Sequence, residues 1–173
     1  MTTKEIIKYP DSILRKKSEE IKEITLKIKE LALAMLEIMI KEKGIGLAAS
    51  QIGELKRIIV IQAERGPEVY INPKIIKKSK ENKFSFFPFA KARESKETEI
   101  REEGCLSFPG LFLKVKRAKE VEVEFLNLRG EKNKIKAEGL PARVFQHEID
   151  HLDGILFIDR ISFFQKLWRL LKI

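Results

Sequence analysis

Apolar residues recur at helical spacing along residues 25–43. Ile28, Leu31, Met35, Ile38 and Met39 share one face, which predicts an amphipathic helix. Lys41 and Lys43 suit the negative end of its dipole, and Gly44 can take the position after the cap. Residues 57–62 break that period. Ile58, Ile59, Val60 and Ile61 are continuously apolar and β-branched, which predicts a strand buried on both faces. Residues 69–71 read as another strand, ended by Asn72 and Pro73. Residues 120–125 alternate strictly, with Val121, Val123 and Phe125 on one side and three glutamates on the other. Arg129 and Gly130 then turn the chain into a second strand at 133–137, making a hairpin. Pro141 opens a helix running to about Leu152, at a place where a missing N–H costs nothing. Tyr9-Pro10-Asp11-Ser12 reads as a turn before a short helix, and residues 163–172 as a short amphipathic helix at the C-terminus. Residues 77–99 follow neither period. They are charged at both ends, carry Phe84, Phe86, Phe87, Pro88 and Phe89 at the centre, and predict a long loop. The expected class is α+β: antiparallel sheets around one central helix, not βαβ units.

Composition narrows this picture. The chain has 173 residues, 43% of them apolar, which fits one domain over 1–173 with a sizeable core and argues against disorder. A formal charge of +9 favours polyanionic neighbours such as RNA, although solubility alone would account for it. One cysteine, Cys105, excludes an intramolecular disulfide and leaves a structural thiol, a nucleophile or a metal ligand. The first residues lack the apolar core of a signal peptide, and the longest apolar stretch, 31–40, is interrupted by Glu37 and is too short to span a bilayer. No membrane association is expected, and the cytoplasm is the expected compartment. Abundant Lys, Glu and Ile with few Asn and Gln lean towards a thermophilic source.

Candidate chemistry begins at His147-Glu148-Ile149-Asp150-His151, an H-E-x-x-H sequence that holds the only two histidines. Four residues apart on a helix, both imidazoles reach a single ion, and Glu148 projects beside the first, placed to take a proton from water. A purely structural histidine pair would leave Glu148 and the spacing unexplained. A catalytic ion wants a third protein ligand and one position left for water. Asp153 and Asp159 lie downstream, but Asp153 is too near in sequence and neither has a distinctive context. Cys105, in Glu103-Gly104-Cys105-Leu106-Ser107, is the alternative, unless it is simply a small buried hydrophobe. Residues 44–51, Gly-Ile-Gly-Leu-Ala-Ala-Ser-Gln, allow close backbone approach at two glycines. They are no phosphate loop, since no Gly-Lys-Ser/Thr follows.

Taken together, G-x-G-L-A-A-x-Q at 44–51, E-G-C-L-S at 103–107 and Q-H-E-x-D-H at 146–151 resemble the signatures of the peptide deformylases, in the same order. Tyr9-Pro10-Asp11, Ile71-Asn72-Pro73 and Gly154-Ile155-Leu156-Phe157 also match, so the resemblance covers nearly the whole chain. It implies a hydrolase that removes the formyl group from N-terminal formyl-methionine of nascent peptides. It implies one divalent ion on Cys105, His147 and His151, ferrous iron natively, with zinc, nickel or cobalt as substitutes. Glu148 would be general base and then acid. The Gln51 amide and the Leu106 N–H would polarise the formyl oxygen. Gly46 would meet the substrate backbone, while Ile45, Leu140, Arg143, Val144 and His147 would shape the methionine pocket. Glu103 and Arg117 would form an ion pair fixing the cysteine loop, with Gln146 and Asp150 supporting the ligands. The connection at 77–99 is longer than the family's by roughly a dozen residues. Two other readings stand beside this one: an ordinary zinc peptidase, and a non-catalytic relative that binds RNA or the ribosome. The basic side of the C-terminal helix, with Arg169 and Lys172, suits weak ribosome contact. Monomer or dimer is left undecided.

Overall fold

The computed structural model describes residues 4–79 and 98–161. Helix α1 (Leu26–Lys41) is followed by strands β1 (Gly46–Ala48), β2 (Ile58–Ala63), β3 (Gly66–Lys78), β4 (Thr98–Cys105), β5 (Phe108–Ala118), β6 (Glu120–Leu126) and β7 (Lys132–Glu138), and then by helix α2 (Gly139–Leu152). Five strands form one antiparallel sheet in the order β1-β2-β3-β6-β7, and β4 pairs with β5 in a separate two-stranded hairpin. The α+β expectation holds, with α2 as the central helix. The expected C-terminal helix at 163–172 and residues 80–97 of the expected loop lie outside the described residues.

The continuous apolar run in β2 has a direct cause. Ile59 and Ile61 pack towards Phe145, Ile149 and Leu152 of α2, while Ile58 and Val60 pack with Met35 and Met39 of α1. Both faces of that part of the sheet are therefore covered, and no polar residue is tolerated on either. In β6, Val121 and Val123 face the same α2 core and the glutamates face outward, as alternation requires. A third cluster joins Leu14 near the N-terminus to Phe108, Val115, Leu156 and Phe157, closing the open side of the β4–β5 hairpin.

Three expectations need correction. The strand expected to stop at Asn72-Pro73 continues to Lys78, because its register shifts between Ile71 and Lys74. Asn72 takes φ 50° there, and its side-chain amide bonds the N–H and C=O of Ile21, both at 2.8 Å. The side chain so stands in for ladder partners at a bulge. Next, Lys43 and not Gly44 adopts the left-handed conformation after α1 (φ 55°). Bonds from Lys43 N–H to Ile40 C=O (3.0 Å) and from Gly44 N–H to Met39 C=O (2.9 Å) close the helix as a Schellman motif. At Gly44 a Cβ would lie 2.9 Å from Leu106 Cδ1, so a side chain there would push Leu106 aside. Finally, the expected loop is trimmed at both ends: Lys77 and Lys78 belong to β3, and Thr98 and Glu99 open β4.

Candidate metal centre

Helix α2 is buried without interruption from Ala142 to Leu152, which leaves its polar side chains dependent on protein partners. His147 and His151 lie along one face, edge to face, with ring centroids 5.0 Å apart. Cys105 reaches them from the tip of the β4–β5 hairpin. It pairs with Phe108 across a two-residue turn, Leu106 and Ser107, so its side chain is presented at the end of a rigid ladder. Cys105 Sγ lies 3.2 Å from His151 Nε2, and one ligand atom from each of Cys105, His147 and His151 falls within 4.8 Å of the others. Bond lengths of about 2.3 Å to sulfur and about 2.0–2.1 Å to nitrogen put ligand pairs of a tetrahedral ion roughly 3.4–3.6 Å apart. The donor set therefore fits one soft-to-borderline dication. Asp153 and Asp159 are not in that cluster. Asp153 pairs with Arg57 and Asp159 with Arg15.

A buried ionic lattice fixes the histidine. Glu103 accepts from Arg117 Nε and Nη2 at 2.9 and 3.0 Å and from Arg143 Nη1 at 2.6 Å. His147 Nδ1 stands 3.2 Å from the same carboxylate. An Nδ1–H donated to Glu103 leaves Nε2 as the free ligand atom. Burial alone would raise the Glu103 carboxyl, but donation from His147 and Arg117 outweighs it and holds the group at about 2. Arg117 also donates to Asp150, which accepts from Arg160 as well. Gln146 pins α2 to the end of β5 through Ala118 N–H (3.1 Å) and Ala118 C=O (3.0 Å).

Glu148 is 4% exposed, and its Oε2 has no hydrogen-bond partner among the described residues. Burial pushes its carboxyl up to about 7, with His147 pulling the other way. His151 Nδ1 is likewise buried and unpartnered among the described residues. Gln51, on the 3-10 turn after β1, is oriented by its own loop. Its Oε1 accepts from Ala48 N–H at 2.8 Å, which aims Nε2 at Cys105 Sγ (3.5 Å) and Ser107 Oγ (3.3 Å). Lys8 Nζ bonds Leu106 C=O (2.7 Å), and Tyr9 N–H bonds Ser107 C=O (2.9 Å), so the N-terminal segment braces the same turn.

Gln51, Glu103, Cys105, Leu106, His147 and Glu148 line one side of a cavity of about 520 Å³. Ile45, Gly46, Leu140, Arg143 and Val144 all border it. Arg143 does so with its charge already committed, because its guanidinium donates to Glu103, to Val115 C=O (3.0 Å) and to Glu99 C=O (3.1 Å). Sequence reasoning missed Phe112 and Lys8, which also border the cavity. Phe112 is 66% exposed and packs against Gly104, where a Cβ would meet its ring at 2.7 Å. No periodicity marks either residue. Glycine at 104 is the one sequence trace of the ring's position.

A sequence profile described as polypeptide deformylase matches residues 3–167. The chain is 45% identical over 157 residues to a peptide deformylase of Dictyoglomus thermophilum, covering 91% of this chain and 92% of that one. It is 42% identical over 163 residues to one from Desulforudis audaxviator, covering 94% and 96%. The crystal structure of the peptide deformylase from Thermotoga maritima superposes with a TM-score of 0.80 at 39% identity, covering 91% of this chain and 97% of that chain. A structure from Synechococcus elongatus in complex with actinonin superposes with a TM-score of 0.81 at 36% identity, covering 97% and 84%.

Proposed function

Because the chain belongs to the polypeptide deformylase family, we propose that Cys105, His147 and His151 hold the catalytic ion and that Glu148 is its proton carrier. The enzyme is a metal-dependent hydrolase that removes the N-formyl group from newly made polypeptides. The observation that carries the residue assignment is the convergence of one thiol and two imidazoles beside a buried carboxylate whose Oε2 has no protein partner. When bound, the ion would supply Lewis acidity, lowering the pKa of water and polarising the formyl carbonyl.

The chain's own groups do the rest. Ile45, Leu140 and Val144 accept the methionine side chain, and Gly46 lets the substrate backbone approach β1. Gln51 Nε2–H and the Leu106 N–H would donate to the formyl oxygen and bind it more strongly as negative charge develops there. Glu148 accepts a proton from the attacking water. The C–N bond of the formamide then breaks, Glu148 delivers that proton to the departing amine, and formate leaves with a free N-terminus. Glu103 keeps His147 in the tautomer that offers Nε2, and Arg117, Gln146 and Asp150 hold Glu103 and α2 in register. Residues 1–173 are read as one catalytic domain.

Ferrous iron is the ion proposed to serve natively, with zinc, nickel or cobalt as substitutes, since all accept a thiolate–imidazole set. Among the described residues no helix is long and apolar enough to cross a membrane, and the cytoplasm is the proposed compartment. Weak ribosome contact through Arg169 and Lys172 is proposed on the +9 charge and should fall steeply with salt. The deciding assay is formate release from a formyl-Met-Ala peptide by protein reconstituted anaerobically with ferrous iron, and separately with nickel. Release without internal amide cleavage is expected, and Cys105→Ser should lose both bound metal and rate. Internal cleavage would favour an ordinary peptidase, and full metal content in Cys105→Ser would remove the thiolate from the ligand set.

A further inference from the structure

Helix α1 buries Ala32, Met35 and Met39 against the sheet, yet its solvent side is not the wholly polar surface that amphipathicity predicts. Leu26 is 71% exposed, Leu33 54% and Ile40 57%. These three are seven residues apart, so they form a straight apolar stripe about 21 Å long, at the repeat used by left-handed helix pairs. Lys29 and Glu37 flank Leu33 and are exposed, and neither ion-pairs with any described residue.

We propose that this stripe is a self-association surface, pairing α1 with α1 of a second copy of the chain in an antiparallel arrangement centred on Leu33. The spacing selects that geometry. A two-fold axis at Leu33 sets Leu33 against itself and Leu26 against Ile40 of the second copy. The same axis sets Lys29 against Glu37 of the second copy, twice, so both flanking charges find opposite partners. A parallel pairing in register would oppose Lys29 to Lys29 and Glu37 to Glu37. The inference stands on the fold and not on the assignment of the active site. Three aliphatic side chains per copy supply only part of the roughly 800 Å² per partner of a stable interface. Association is therefore weak, with a dissociation constant on the order of 100 µM.

Sedimentation of the full metal-loaded chain from micromolar to near-millimolar concentration tests this. A reversible monomer–dimer equilibrium is expected. Lys29→Glu alone and Glu37→Lys alone should each weaken it about tenfold, because each replaces two attractive contacts by two repulsive ones. The double variant Lys29→Glu with Glu37→Lys should recover the wild-type constant, since it restores opposite charges across the axis. Leu33→Glu should abolish the dimer while leaving Tm and the rate on a short formyl peptide near wild type. Any of three results overturns the proposal: a monomer throughout the range, single reversals that change nothing, or a double variant no better than the singles. A monomer whose Tm falls in Leu33→Glu would identify the chain's own remaining residues as the cover of this face.

Discussion

Gly46→Ala is the most informative single change, because the atoms nearest the added methyl group belong to the proton carrier and to Val144. Gly46 lies in β1, opposite Ile61 of β2, and is not among the glycines with positive φ. Alanine is therefore compatible with its backbone and by itself would stabilise by about 0.4–1 kcal/mol through the unfolded state. The space is the obstacle. A Cβ would stand 2.8 Å from Val144 Cγ1 and 2.9 Å from Glu148 Cδ, and closer still to Glu148 Oε1. Ordinary carbon contacts need about 3.5–4.0 Å, so the carboxylate must withdraw by roughly 0.6–1 Å. Overpacking of that kind costs about 1–3 kcal/mol, which exceeds the backbone gain. For a chain of this length each kcal/mol moves Tm by about 2–4 °C. The kinetic effect should be larger than the stability effect, since a displacement near 1 Å at a reacting group costs about 10²-fold. Three measurements read it: Tm by calorimetry, metal content, and kcat/KM on a formyl peptide. The expected pattern is a Tm lowered by a few degrees, unchanged metal content and kcat/KM reduced about 10- to 100-fold. Wild-type kcat/KM would refute the idea that β1 sets the position of Glu148. Loss of metal in proportion to rate would show that the methyl disturbs the ligands instead.

Glu148→Ala should retain the ion and lose most turnover, because it removes the proton carrier and no ligand; near-wild-type rates with metal bound would reassign that role. Gln51→Leu should lower kcat by about 10²–10³-fold, the usual cost of one oxyanion donor, and an unchanged kcat would place the donor elsewhere. The acid limb of kcat/KM follows from Glu148, which must be ionised to accept a proton. Burial puts its carboxyl at about 7, and a nearby dication pulls it down, so activity should rise with pH along a limb whose midpoint lies at or below about 7. A rate that falls as pH rises through 6 at constant metal content would contradict the assignment.

How far the sequence disclosed this molecule depends on what each segment is buried against. Strand β2 and helix α1 were legible because hydrocarbon covers them, leaving an unbroken apolar run in one and a helical period in the other, while α2 was legible from Pro141 and the four-residue spacing of its histidines. The β4–β5 hairpin was not. Its inward positions include Glu99, Glu103 and Arg117, each under 7% exposed, so its buried side is partly ionic and reads as a solvated surface. The polarity that hides the hairpin is what the site requires: Glu103 can hold His147 only as an anion, and an anion can be buried there only with Arg117 and Arg143 donating to it. The bulge at Asn72 was misread for a related reason. Asn-Pro ordinarily stops a strand, and only the distant backbone of Ile21, which the Asn72 amide bonds, lets the strand continue. In both places local pattern is overruled by a polar partner far away in sequence, which motif order can hint at but periodicity cannot. Gly46 is the intermediate case. Its place in a glycine-containing motif was visible, but the nearness of Glu148, about a hundred residues later, appears only when β1 and α2 pack together.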